Sequence, residues 1–140
     1  MTAKLAYIQD VPFDLDENPI TVGNGKFLAT MQYEGRILGS RNGPRISGYI
    51  QDVGTGAGTE TTLQVRNATT GRDYFDTQPA FRVDDADANN GATLYAGTLR
   101  IEPTFAQGDV LALDVDAVPG GADAALGTVY LTCEFLRAVD

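Results

Sequence analysis

The sequence predicts an all-β domain, an antiparallel sandwich or barrel of two stacked layers, and three observations carry that prediction. First, short segments alternate apolar and less apolar side chains with a period of two. In "GDVLALDVD" (108–116) this sets Leu111, Leu113 and Val115 on one face, expected to be buried, and Ala112, Asp114 and Asp116 on the other, expected to meet water. Second, 16 Gly and 6 Pro are spread without a period, as many turns between short strands require. Third, no segment carries a convincing helical stripe: "PGGADAALG" (119–127) is too short and opens with a glycine pair, so it reads as a loop.

The elements follow in chain order. Residues 1–25 differ from the rest: Tyr7, Ile8, Val11, Phe13, Leu15 and Ile20 are mixed with Pro12, Pro19 and several acids. Proline withholds a ladder hydrogen bond, so the segment reads as an extended N-terminal arm. Its apolar residues need a surface to cover, either the sheet of their own domain or a neighbouring subunit. The domain proper is expected over 26–140. "KFLATMQY" (26–33) sets Phe27, Ala29, Met31 and Tyr33 against Lys26, Leu28, Thr30 and Gln32, and "RISGYIQDV" (45–53) sets Ile46, Gly48 and Ile50 against Ser47, Tyr49 and Gln51. "TTLQVRN" (61–67) turns at "ATTG" into a returning "RDYF" (72–75). "AFRV" (80–83), "TLYAGTLRIEP" (93–103), the stretch from 108 and "TVYLTCEFL" (128–136) complete eight or so strands. With 140 residues the chain has the length of one domain, able to bury roughly two-thirds of its unfolded surface without a metal or disulfide.

Composition narrows the function classes. The formal net charge of -9 repels phosphate backbones, and Arg36, Arg41 and Arg45 are the nearest approach to a basic patch, so no nucleic-acid partner is expected. The N-terminal residues contain no long apolar core of a leader, and no apolar run approaches the ~20 residues of a membrane span, so no membrane partner is expected either. Cys133, the single cysteine, shares an alternating face with Val129, Leu131 and Phe135 and reads as a small buried filler.

Each candidate site has a simpler structural explanation. "GTGAGTE" (54–60) leads into a strand, whereas a dinucleotide fingerprint opens a helix, so it reads as an inter-strand loop. In "DDADANNG" (84–91), Asp85, Asp87 and Asn89 take alternate positions as in a calcium loop, but Gly91 is one place late and Ala96 stands where the closing carboxylate belongs. It reads as a solvated acidic loop, with Asp114, Asp116 and Asp123 as the carboxylates that would have to converge on it. Without His, and with only Lys4 and Lys26 as lysines, no catalytic base is singled out; no catalytic residue, metal or cofactor is expected. "NAT" (67–69) matches a glycosylation acceptor and reads as a turn.

The stretches "ISGYIQDVGTGAGTETTLQVRNATTGRDYF" (46–75) and "TLRIEPTFAQGDVLALDVDAVPGGADAALGTVYLTCEF" (98–135) resemble β-jelly-roll proteins of tailed bacteriophages, the head decoration or cement proteins and related fibre domains. Phe105, Gly108 and Asp109 form the entry to the alternating strand within that likeness. The resemblance implies an antiparallel jelly-roll sandwich with an extended N-terminal arm, and a non-enzymatic virion protein on the outer capsid surface, made in the host cytoplasm. It implies the major capsid protein and further copies of the chain, as a homotrimer, for partners. In that role the arm residues Tyr7, Ile8, Val11, Phe13, Leu15 and Ile20 are the expected interface. Deleting residues 1–20 is then expected to weaken attachment while leaving the sandwich folded. The alternative is a receptor- or carbohydrate-binding jelly-roll module of a fibre or lectin-like protein, with a hydrolase built from paired carboxylates ranking third.

Overall fold

A computed structural model describes residues 3–100, 102–121 and 123–139. Residues 1–2 of the expected arm, 101 of the expected strand 93–103, 122 of the loop 119–127 and 140 at the end of the expected domain lie outside the described residues. In chain order the strands are β1 (Ala3–Leu15), β2 (Gly23–Thr30), β3 (Glu34–Ile37), β4 (Gly39–Ser40), β5 (Gly43–Pro44), β6 (Ile46–Asp52), β7 (Glu60–Asn67), β8 (Arg72–Asp73), β9 (Phe75–Thr77), β10 (Ala80–Arg82), β11 (Ala92–Thr93), β12 (Thr98–Leu99), β13 (Thr104–Phe105), β14 (Val110–Ala117) and β15 (Ala125–Val139). A 3-10 turn, Val83–Asp85, follows β10. The fold is the all-β antiparallel sandwich that the alternation predicts, and among the described residues no helix is long and apolar enough to cross a membrane.

One layer orders its strands β11-β6-β15-β3-β13, with β1 on the other side of β15; the second runs β10-β7-β14-β2, with β8 beside β7. The long β15 organises the first layer. Its Ala125–Leu131 half pairs with β6 and its Cys133–Leu136 stretch with β3, while β1 runs antiparallel along its opposite side from Leu15↔Gly127 to Ala3↔Val139. The inner faces meet in one core, where Phe13, Leu15, Ile50, Val129 and Leu131 of the first layer face Leu63, Val65, Leu111, Leu113 and Val115 of the second. Burial of such faces, at about 25 cal/mol per Å² of apolar surface, is the main force holding the layers together.

The N-terminal segment contributes to that core. Val11, Phe13, Leu15 and Ile20 are all buried, because Pro12 and Asp14 take the outward positions of a period-two strand that runs along the sheet's edge, where a missing N–H is tolerated. Removing residues 1–20 would therefore strip four side chains from the core, which corrects the expectation that the sandwich survives that deletion.

Three further expectations need correction. Ala112 and Asp114 do not meet water: β14 lies between β7 and β2, so its outer positions are covered by neighbouring side chains, and only Asp116 is exposed. "KFLATMQY" leaves the sheet after Thr30, where the chain turns over Met31–Tyr33 into β3. The stretch 93–103 is broken rather than continuous, because Gly97 takes a φ of 71° and a side chain there would collide with the carbonyl of Thr77.

Candidate functional site

The loops singled out by composition are held by their own hydrogen bonds. In the acidic loop, Asp87 Oδ1 accepts from the N–H groups of Asn89 at 2.8 Å and Gly91 at 3.0 Å, and its Oδ2 accepts from the Tyr49 hydroxyl at 2.5 Å. The Tyr49 bond and these two backbone donors hold the Asp87 carboxyl below its usual range, and the same bond pushes the Tyr49 phenol up. The other carboxylates do not converge on it: Asp114 pairs with Arg66, Asp116 accepts from Gln78, and Asp123 accepts from the N–H and hydroxyl of Thr55. Among the described residues no three of His, Cys, Asp and Glu are placed to hold a metal ion. The glycine loop at 54–60 leads into β7. Arg36 and Arg41, two of the three arginines of the possible basic patch, are paired with Glu134 at 3.1 Å and Asp76 at 2.9 Å. Cys133 is fully buried, and burial, with a contribution from Asp10, pushes its thiol up to about 12, which leaves essentially no thiolate at neutral pH.

At one end of the sandwich a cleft of about 550 Å³ opens between β3, β13 and β15 on one side and the β7–β8 turn on the other. Its floor is polar and buried. Asn67 Nδ2 donates to Asp109 Oδ2 at 2.8 Å and to the Tyr74 hydroxyl at 3.1 Å, and that hydroxyl donates to the Thr104 carbonyl at 2.7 Å. Asp109 Oδ2 also accepts from the Ala106 N–H at 2.9 Å, while Asn67 Oδ1 accepts from the N–H groups of Thr69 and Thr70. Burial pushes the Tyr74 phenol up. With its amide committed inward, Asn67 is no glycosylation acceptor in the folded chain. Of the acids that line it among the described residues, Glu134 is paired with Arg36 and Glu34 with Lys4, and Asp109 is held by Asn67 and the Ala106 N–H. No tyrosine ring lines it. These contacts tie the β7–β8 turn and the approach to β14 to the body, and they account for the Phe105, Gly108, Asp109 entry: Asp109 caps the turn that Gly108, at a φ of 89°, allows.

The other distinctive surface is the free end of β1 and β15. The pairing of β3 with β15 stops at Leu136, so beyond it, among the described residues, Arg137, Ala138 and Val139 have β1 as their one strand partner, with the Arg137 guanidinium 5.9 Å from the centre of the Tyr33 ring. Ala3–Ala6 and Arg137–Val139 are exposed along both faces, a two-stranded ribbon beyond the layered body. It carries three of the largest exposed apolar side chains: Leu5 at 57%, Ile8 at 59% and Val139 at 50%. Its root is anchored by aromatic packing. Tyr7 stacks on Phe135 with centroids 5.4 Å apart and meets Tyr33 edge-on at 6.2 Å. Directly opposed residues share a face, so Leu5 and Tyr7 lie on the core side with Arg137 and Phe135, and Lys4, Ala6, Ile8 and Asp10 lie on the outer side with Ala138, Leu136, Glu134 and Thr132. An ion pair joins Lys4 to Glu34, and Asp10 accepts from the Thr132 hydroxyl at 2.6 Å.

Of the six interface residues expected from sequence, the ribbon thus holds Ile8, exposed, and Tyr7, half-buried at its root, while Val11, Phe13, Leu15 and Ile20 make their contacts inside the chain. Leu5 and Val139 were not among the six. The alternation of Leu5 with Tyr7, continued through Val11, Phe13 and Leu15, is the signal that marks the whole segment as one strand.

No family model matches the chain, and no curated protein does. Solved structures similar to it include a chain of the cyanophage Pam1 capsid asymmetric unit, at 16% identity over 96% of this chain and 86% of that one with a TM-score of 0.46, and a chain of Bacillus endospore appendages described as disulfide-linked pili, at 16% identity over 96% and 90% with a TM-score of 0.36. Likenesses at this level assign neither a family nor a role.

Proposed function

We propose that the chain is a structural protein of a tailed-phage virion, a jelly-roll decoration protein that docks on the outer surface of the head and stabilises the shell. The observation that carries this reading is the β1–β15 ribbon, which groups exposed Leu5, Ile8 and Val139 at one free end, while the other exposed aliphatics, Val22 and Leu28, lie near and on β2. A decoration protein needs a rigid fold, a water-tolerant outer face and an adhesive element. The sandwich supplies the first, the net charge of -9 suits the second, and the ribbon is suited to the third. Individual contacts to the shell can be weak, since an oligomer attached at several points gains from effective concentration. The reading is tested with heads assembled without the protein: added back, it should occupy a regular set of sites and raise the temperature at which heads lose DNA. Heads whose robustness is unchanged on addition contradict the role.

A second reading, a receptor- or carbohydrate-binding module, draws on Tyr49 and Tyr130, which are exposed on the outer face of the six-stranded layer. Saturable binding on a glycan array, abolished in the Tyr49→Ala Tyr130→Ala double variant, would move the function to that face.

A further inference from the structure

We propose that β1 is the subunit contact of a twofold dimer, in which two copies join edge to edge and antiparallel about an axis at Tyr7, forming a continuous sheet in the order β15, β1, β1 of the second copy, β15 of the second copy. Among the described residues β1 has one strand partner, β15, so its other edge presents unpaired backbone groups over a 13-residue strand. Such edges are usually shortened, bulged or covered, because they template pairing with another chain. Here the first half is neither covered nor interrupted: Pro12 stands beyond it, and Ala3–Ala6 and Ile8–Asp10 are exposed. A two-stranded ribbon is also marginal in water, and further strands supply the packing it lacks.

The side chains select the partner and the register. Pairing about Tyr7 sets Lys4 against Asp10 of the second copy and Ala6 against Ile8 of the second copy, and symmetry repeats each contact; Lys4 would share its charge between Glu34 and the new carboxylate, and Asp10 would keep one oxygen on the Thr132 hydroxyl. Other registers do worse. Centring on Ala6 sets Lys4 against Ile8; centring on Ile8 sets Ala6 against Asp10; centring on Gln9 draws Pro12, which has no N–H, into the ladder. On the core side, the Tyr7 register brings Leu5 of the second copy beside Gln9, over a groove of about 220 Å³ between β1 and the Ala29–Tyr33 segment, lined in part by Val11, Met31 and Tyr33. The exposed leucine of each copy thereby gains an apolar seat on the other. An antiparallel contact between identical edges is isologous and closes at two copies, so it does not propagate into a fibre, and a trimer would have to be built through other surfaces.

The test is a charge exchange read by sedimentation velocity and native mass spectrometry, with circular dichroism confirming that each variant is folded. The wild-type chain is expected as a dimer. Asp10→Lys sets lysine against Lys4 and Lys4→Asp sets aspartate against Asp10, so either variant alone should raise the dimer dissociation constant by about tenfold or more. An equimolar mixture of the two restores both opposite-charge contacts and should yield the mixed dimer, in which one copy carries two aspartates and the other two lysines. A monomeric wild type, single variants that dimerise as the wild type does, or a mixture that fails to pair overturns the proposal. The pairing covers the free edge of β1 and leaves Val139 and the faces of the joined ribbons for the shell, so a dimer with no affinity for phage heads would keep the contact and sink the role.

Discussion

Arg66 and Asp114 are diagonal neighbours across β7 and β14, joined by two parallel hydrogen bonds, from Nε to Oδ2 at 2.9 Å and from Nη2 to Oδ1 at 3.1 Å. The N–H of Gly25 adds a third donor to Asp114 at 2.6 Å, so this one carboxylate on β14 links the start of β2 to β7. Asp114 is 4% exposed, on a face where alternation alone places it in water. Replacing Asp114 by Ala should cost about 2 kcal/mol in urea unfolding, through loss of charge-assisted bonds at a partly buried site. A loss within 0.5 kcal/mol would mean that the pair is a solvated ornament of the surface.

Phe13→Ala should cost about 3–5 kcal/mol, the usual range for removing a buried phenyl ring. Ile8→Ala, measured at protein concentrations too low for dimer formation, should leave the unfolding midpoint nearly unchanged, because Ile8 projects from the outer face. The contrast separates the core half of β1 from its free half. Equal effects of the two substitutions, measured by chemical denaturation, would contradict that division.

Cys133 should resist alkylation by iodoacetamide in the folded chain at pH 8 and react readily once the chain is unfolded. Its thiol is buried and pushed up to about 12, whereas the unfolded thiol titrates near its ordinary value of 9.0. Rapid labelling of the native protein, followed by mass spectrometry, would show that β15 opens at its centre.

The Asp87–Tyr49 bond should make the acidic loop sensitive to pH at both extremes. Asp87 titrates below its ordinary 3.8 when folded, so its contribution is present above that value and is lost as pH falls through the lower folded value. Tyr49 titrates above 10.0, so its contribution is present below that value and is lost as pH rises through the higher folded value. In a pH titration followed by NMR, Tyr49→Phe should return the Asp87 carboxyl toward 3.8. An unaltered titration would assign the shift to the loop's backbone donors alone.

Much of the fold is legible in the alternation itself. Residues 46–52 and the long closing strand are read directly, because one face of each is apolar and the other is not; in 60–67 Leu63 and Val65 face the core as the alternation places them, but Gln64, placed outward with Arg66, is buried and bonds the backbone of Phe75. Asp114 was misplaced because period two separates the faces of a strand without telling whether the outer one is covered by its neighbours. For the N-terminal segment, Pro12 argues against an inner strand, and the edge position of β1 tolerates it; of the two surfaces left open for its apolar residues, Val11, Phe13, Leu15 and Ile20 cover the core of their own domain. The cleft was invisible, since Asn67, Tyr74 and Asp109 are far apart in sequence and meet only through the return of β7 and the entry to β14. The ribbon was half visible. Tyr7 and Ile8 stood out as apolar residues in an acidic stretch, but the exposure of Leu5 and Val139 depends on where β3 stops.

The central claim is that the free half of β1 is an adhesive edge of a shell protein, and incubation of purified chain with bare phage heads, followed by cryo-electron microscopy, tests it most directly. Density for the sandwich should appear at a regular set of outer-surface sites, with the ribbon buried against the shell or a second copy, and it should weaken for Ile8→Lys. Heads left bare by a folded wild-type chain, or bound with the ribbon pointing into solvent, would contradict the account.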